Sequence, residues 1–393
     1  MEKVEISPNS FLQVIESNAF SFSNIKEIFI PASVLKICKN AFDNCRYLTK
    51  VEIPQNSNLQ VIESHAFSLS NIEEIFIPPS VSKICENAFN ECRYLTKVEI
   101  PPNSNLQSIE SHAFGYSNIE KIFIPSKVSK ISEHSFYHCF YLKKVEIPTN
   151  SNLQMIESYA FAYSEIEEIL IPSKVSKIGD YSFSECENLR KVEIPINSNL
   201  QIIESNAFSK SSIKEIYFPA SLKELKKGWC FETNKLTKII VSPSNNNFKF
   251  KENTYLVGKS DINNEYDSLL FVRRDIKKIS IPSNIKIICD NAFLNCTNLT
   301  KVEISPNSNL QIIESLAFAK SNIKEFFIPP KVSKIHSNSF QYCQNLQIIE
   351  ISEKSELKLF PFFAFYGCSE IKVMIPSLLK LQWDYDWVLY EQL

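Results

Sequence analysis

Val-Glu-Ile stands at residues 4–6, 51–53, 98–100, 145–147 and 192–194, a strict spacing of 47, and returns at 302–304. Ile349-Glu350-Ile351 follows a further 47 residues on. A second triplet lies between successive copies: Ile28-Phe29-Ile30, Ile75-Phe76-Ile77, Ile122-Phe123-Ile124, Ile169-Leu170-Ile171, Ile216-Tyr217-Phe218 and Phe326-Phe327-Ile328. Triplets therefore alternate 24 and 23 residues apart, and the unit is one coil in two flavours. Each coil carries a second apolar anchor, Ala-Phe or Ser-Phe, from Phe20, Phe42 and Phe67 onward to Phe365. A short alternating strand, a Pro stop and a brief helical or turn segment make one turn of a solenoid. A single coil cannot bury both its Ile pair and its Phe, whereas stacked coils can. The expectation is an α/β repeat solenoid of about 16 coils, roughly 75 Å long at ~4.8 Å per coil.

One interval breaks the rhythm. Val241 to Ile281 spans 40 residues where 24 are expected, which predicts an irregular insertion over about 242–280. Its polar turns, Gly258 and the acidic run around Asp261 read as an extra hairpin or loop, either a projecting binding element or a replacement for one coil. Residue 1 begins almost inside a strand, so the first coil is expected to be uncapped and open to self-association. Residues 377–393 leave the repeat and are expected to form a C-terminal cap or a partner-binding tail.

In each triplet the flanking side chains should point inward and the middle one outward. The outward row runs Glu5, Phe29, Glu52, Phe76, Glu99, Phe123, Glu146, Leu170, Glu193, Tyr217, with Phe327 beyond the insertion. Two residues earlier runs a second outward row: Lys3, Glu27, Lys50, Glu74, Lys97, Lys121, Lys144, Glu168, Lys191, Glu215. Acids and large apolar residues alternate in the first row, and Lys and Glu alternate in the second except at Lys121. Aromatic anchors rimmed by charge are what binding hot spots look like. The candidate partner-binding residues are therefore Phe29, Phe76, Phe123, Leu170, Tyr217, Phe327, Glu52, Glu99, Glu146 and Glu193.

Chemistry finds little support. Net charge is −2, from 42 basic and 44 acidic residues, which argues against a nucleic-acid partner. Only five Gly are present, so Gly-rich phosphate loops are nearly excluded. No nucleophile elbow is present, and a periodic ladder of exposed Glu has no desolvated partner to raise its pKa. No catalytic residue, cofactor or metal site is expected. Most of the 11 Cys follow a Phe anchor by three residues in alternate coils, ~10 Å apart, too far for a ladder of disulfides. They read as small buried apolar residues. His65 and His112 share a position also filled by Asn18, Tyr159 and Leu316, which suggests a solvent-facing side chain. His134 and His138 have the i, i+4 spacing of a helical metal pair, but no third ligand completes it. No secretory signal or membrane span of ~20 apolar residues is visible.

The full coil reads Ile75, Ile77-Pro78, Val81, Ile84, Ala88-Phe89, Cys92 and Leu95, and it recurs over nearly the whole chain, about residues 1–376. This pattern resembles the BspA-type leucine-rich repeat family. The resemblance implies a curved solenoid with a parallel β-sheet on its concave side and a non-catalytic role in protein binding. It implies a surface adhesin-like or surface-antigen-like protein whose partner is a host or cell-surface protein. The missing export signal and the many thiols point the other way, to a cytoplasmic scaffold or adaptor, and a regulatory subunit of an enzyme complex would use the same sheet to hold a catalytic partner.

Overall fold

The computed structural model describes residues 4, 6–260, 265–377, 379, 382 and 383. Lys3, Glu5, Asp261 and most of the C-terminal segment lie outside the described residues. The chain forms two compact units, Met1–Thr233 and Asn234–Leu393.

In the first unit each coil contributes to two parallel ladders. The first sheet stacks three-residue strands, Glu27–Phe29, Lys50–Glu52, Glu74–Phe76, Lys97–Glu99, Lys121–Phe123 and so on, to the four-residue Glu215–Phe218. The second stacks two-residue strands from Val14–Ile15 through Lys36–Ile37 and Val61–Ile62 to Glu224–Leu225. Registers repeat without slip, Ile28 opposite Val51 and Ile37 opposite Ile62. The alternation expected from the triplets holds: Ile28, Ile30, Val51 and Ile53 are buried while Glu52 is exposed.

Between the sheets the anchor phenylalanines form one column. Phe20, Phe42, Phe67, Phe89, Phe114, Phe136, Phe161, Phe183 and Phe208 stack with centroids 5.0–5.5 Å apart and nearly parallel rings. From Phe42 onward every ring is fully buried.

The α component of the expected class is corrected by the third wall of the coil. Among the described residues the helical structure is one 3-10 turn, Phe362–Phe365. Around the anchors from Phe20 to Phe340 two residues four apart take left-handed backbone: Asn18 and Phe22, Asn40 and Asn44, His65 and Leu69, His112 and Tyr116, and on along the array. An α-helix needs continuous right-handed backbone and i→i−4 bonds, which these residues interrupt. Instead the N–H groups split their work. Ala19 and Ser21 donate to carbonyls three residues back, whereas Asn18, Phe20 and Phe22 donate to Lys39, Ala41 and Asp43 of the next coil. The turn wall is thus a third inter-coil ladder.

The second unit repeats this plan around the insertion. Phe248–Lys251, Tyr255–Gly258 and Ser268–Val272 form an antiparallel meander. Ser268–Val272 then pairs in parallel with Ile287–Ile288, so the meander continues the two-residue ladder of this unit. Leu256, Leu269 and Val272 have no exposed surface, so these strands are packed into the core and do not project as a loop. Arg274 opens the turn ladder. Its buried guanidinium donates to the carbonyls of Ala292 and Asn291 and lies over the Phe271 ring. Phe293, Phe318, Phe340 and Phe365 form an aromatic column within this unit. Gln382–Trp383 pairs in parallel with Leu359–Phe360.

Candidate functional site

The outward face of the first sheet is an ordered lattice of charge with apolar patches let into it. Phe29, Phe76 and Leu170 lie directly opposite Glu52, Glu99 and Glu193 on the next strand, and Phe123 lies opposite Glu146. The six apolar residues of the row, Phe29, Phe76, Phe123, Leu170, Tyr217 and, in the second unit, Phe327, are half-buried. Glu52, Glu99, Glu146 and Glu193 are exposed. Each of the last four engages the Lys two residues earlier: Lys50–Glu52, Lys97–Glu99 (3.8 Å), Lys144–Glu146 (2.7 Å) and Lys191–Glu193. Lys97 also reaches back to Glu74 at 3.0 Å. The Glu146 carboxyl is held below its ordinary range by its bond to Lys144, and the Lys144 ammonium is raised by the same contact.

The lattice has one fault. Lys97, Lys121 and Lys144 stand opposite one another on three consecutive strands. Like charges directly opposite repel. Among the described residues Lys97 and Lys144 have Glu partners within 4 Å and Lys121 has no such ion pair. The centre of the sheet therefore offers a positive charge beside Phe123.

A feature missed in the sequence reading borders this face. Tyr47, Tyr94 and Tyr141 are 58%, 59% and 53% exposed, each one residue before a fully buried Leu and three before a strand of the first sheet. They recur every second coil, so they form a straight row at ~10 Å intervals. Exposed Arg46 and Arg93 precede the first two, and exposed Phe140 precedes the third. The signal was present as Arg-Tyr-Leu at 46–48 and 93–95 and Phe-Tyr-Leu at 140–142, on the same 47-residue spacing. Tyr and Arg are the residues most enriched in interface hot spots.

The histidines fall elsewhere. His112, His134, Tyr159 and Tyr181 stack as one column at 4.6–4.8 Å, and Tyr116, His138 and Tyr163 stack as another at 5.0 and 4.2 Å. Tyr137 wedges edge-on between the columns. His112 is thus half-buried in a stack and does not face solvent freely. Burial lowers the pKa of His112, His134 and His138, with neighbouring His112 adding to the effect at His134. His134 and His138 stand in different stacks, and the Tyr137 ring meets each of them edge-on. Among the described residues no group of three His, Cys, Asp or Glu is placed to hold a metal ion. No helix of the described residues is long and apolar enough to cross a membrane.

A family model described as "BspA type Leucine rich repeat region" matches the chain in six copies, over residues 13–143, 154–256 and 265–383. No curated protein matches the sequence. Solved structures share the fold, three of them as follows. A leucine-rich cell surface protein from Faecalibacterium prausnitzii is 21% identical with a TM-score of 0.62, covering 93% of this chain and 89% of its own. A leucine-rich repeat protein from Bacteroides ovatus is 22% identical with a TM-score of 0.57, covering 95% and 88%. The pneumococcal vaccine antigen PcpA is 21% identical with a TM-score of 0.55, covering 76% and 78%.

Proposed function

Because the chain belongs to the BspA-type leucine-rich repeat family, we propose that it is a non-catalytic protein-binding scaffold of the surface-antigen type. Its partner docks on the first sheet of the first unit and on the tyrosine row beside it. The observation that carries this reading is the row Tyr47, Tyr94 and Tyr141, more than half exposed and in line with the strands. Large exposed aromatics cost solubility, and a regular row of them beside the apolar residues of the sheet supports an interaction surface. Phe29, Phe76, Phe123, Leu170 and Tyr217 supply the apolar floor, Glu52, Glu99, Glu146 and Glu193 the charged lattice, and Phe327 a separate patch on the second unit. The run Lys97, Lys121, Lys144 favours an acidic segment of the partner, since charge complementarity sets specificity and on-rate. The cell-surface setting rests on two structural neighbours, one described as a cell surface protein and one as a vaccine antigen.

Capture from detergent-solubilised, surface-biotinylated cells tests the surface. Wild-type chain is compared with a triple variant (Tyr47→Ser, Tyr94→Ser, Tyr141→Ser) and with Lys36→Ser/Lys83→Ser on the second sheet. The expected result is a discrete captured protein that the tyrosine variant loses and the second-sheet variant keeps. Equal capture by all three places binding elsewhere and defeats the proposal. Labelling of this chain on intact source cells by a membrane-impermeant reagent checks the surface setting separately.

A further inference from the structure

One position of the turn wall forms a ladder of small polar side chains three residues after each anchor Phe. It alternates Ser and Cys through Ser23, Cys45, Ser70, Cys92, Ser117, Cys139, Ser164 and Cys186. Neighbours in this ladder touch: Ser70 Oγ lies 3.4 Å from Cys92 Sγ, Ser117 Oγ 3.4 Å from Cys139 Sγ, and Ser164 Oγ 3.3 Å from Cys186 Sγ. Each Cys thiol also donates to the carbonyl of the preceding coil's Phe, as Cys92 does to Phe67 at 3.0 Å. Alternation keeps thiols two coils apart, outside the Cα separation of about 4.4–6.8 Å that a disulfide requires.

The second unit departs from this rule. There the ladder runs Ser321, Cys343, Cys368, with Cys in two successive coils. The two coils are laced together at this point, Phe340 N–H to Ala364 at 2.8 Å and Tyr342 N–H to Tyr366 at 2.9 Å. Cys343 donates to Phe318 and Cys368 to Phe340, so both side chains follow the ladder geometry. The two thiols thus occupy successive rungs of the ladder, where neighbouring side-chain atoms in the first unit come as close as 3.3–3.4 Å. Cys343 is fully buried and Cys368 is partly exposed.

We propose that Cys343 and Cys368 form a reversible disulfide, a redox-controlled staple across two successive coils of the second unit. The co-reactant is a low-molecular-weight disulfide. The accessible Cys368 thiolate attacks one of its sulfurs, the small S–S bond breaks, and one small thiolate leaves. Cys343 attacks the Cys368 sulfur as its proton passes to the departing small thiolate, which leaves as the second small thiol. The protein pair has given up two electrons and two protons, and the small disulfide has become two thiols. The order follows from access and ionisation. Neighbouring Cys343 lowers the pKa of Cys368, while neighbouring Cys368 and burial raise that of Cys343. The nucleophile is the thiolate. The site is independent of the binding surface on the first unit.

The test treats the purified full chain with oxidised glutathione, traps the remaining thiols by alkylation in acid, and maps peptides by mass spectrometry. The expected product is a dithiothreitol-sensitive Cys343–Cys368 link. Cys289, the other partly exposed thiol among the described residues, serves as the internal comparison. Cys343→Ser should fold, since Ser fills this ladder position at Ser70, Ser117 and Ser321, and it should hold glutathione stably on Cys368. Wild-type chain that keeps glutathione on Cys368 without forming the link overturns the proposal. Hydrogen exchange over residues 340–368 should slow by about tenfold or more once the link is made, because a cross-link removes open states. A link that leaves exchange unchanged overturns its role as a staple.

Discussion

Phe136 sits between Phe114 and Phe161 at 5.5 and 5.2 Å with no exposed surface. Phe136→Ala removes both stacking contacts and leaves a cavity the flanking coils cannot close. The expected loss is about 3–5 kcal/mol by urea unfolding. The left-handed positions carry an opposite opportunity. Leu316 has φ 55°, a conformation that favours Asn, and Asn18 and Asn206 fill the equivalent place. Leu316→Asn should raise stability by up to about 1 kcal/mol, seen as a higher urea midpoint with unchanged slope. Core identity at Phe136 was legible from the Ala-Phe repeat. The strain at Leu316 was not, because left-handed backbone is imposed by bonds to the next coil and not by the residue itself.

At the scale of the strand, the alternation of buried and exposed side chains was legible because it has the fixed period of two that a pleated strand requires. The lattice of ion pairs follows from it, and so does the fault at Lys121. Lys121→Glu would place an acid between Lys97 and Lys144 and should stabilise the chain by roughly 0.5–1.5 kcal/mol. On the proposed function it should also weaken capture of the partner, so thermal unfolding and binding are expected to move in opposite directions. The aromatic columns make a pH prediction. Burial lowers the pKa of His112, His134 and His138, against opposing pulls from Glu133 and Glu86 at His112 and from Glu133 at His134. The unfolded chain therefore binds more protons than the folded chain below about pH 6.5. Stability is highest above that pH, falls as pH drops through it, and levels off below the folded values. His134→Tyr, which extends the Tyr159–Tyr181 stack, should flatten part of this slope in unfolding curves taken between about pH 5 and 7.

At the scale of the molecule, each coil contacts mainly its neighbours, so perturbations should be local. Phe89 and Phe161 are three coils apart, and the cost of Phe89→Ala/Phe161→Ala should equal the sum of the single costs within about 0.5 kcal/mol. Phe114→Ala/Phe136→Ala removes two touching rings and should depart from additivity by more than that. Equal additivity for both pairs in double-mutant cycles would contradict a column of coupled rings. The insertion belongs to this scale too. Its polar turns, Gly258 and the acidic run around Asp261 suggested a hairpin or loop, yet Leu256, Leu269 and Val272 are buried and the last strand pairs in parallel with Ile287–Ile288 further along the chain.

The sequence by itself determined the repeat, its family, which Ile, Val and Phe side chains form the core, and which strand residues face outward. These properties follow from periodicity along the chain, and burial of a repeated apolar pattern has one economical solution, the stack. The tertiary structure decided what stands beside what across coils. It set Tyr47, Tyr94 and Tyr141 in a row along the sheet, brought His112 and His134 into one column with Tyr159, and placed Cys368 against Cys343. It also made the expected helical or turn segment a run of turns. The physical reason is common to all four. Backbone hydrogen bonds between coils fix the conformation of the turn wall, and those bonds join residues 21 to 25 positions apart, beyond the reach of any local pattern.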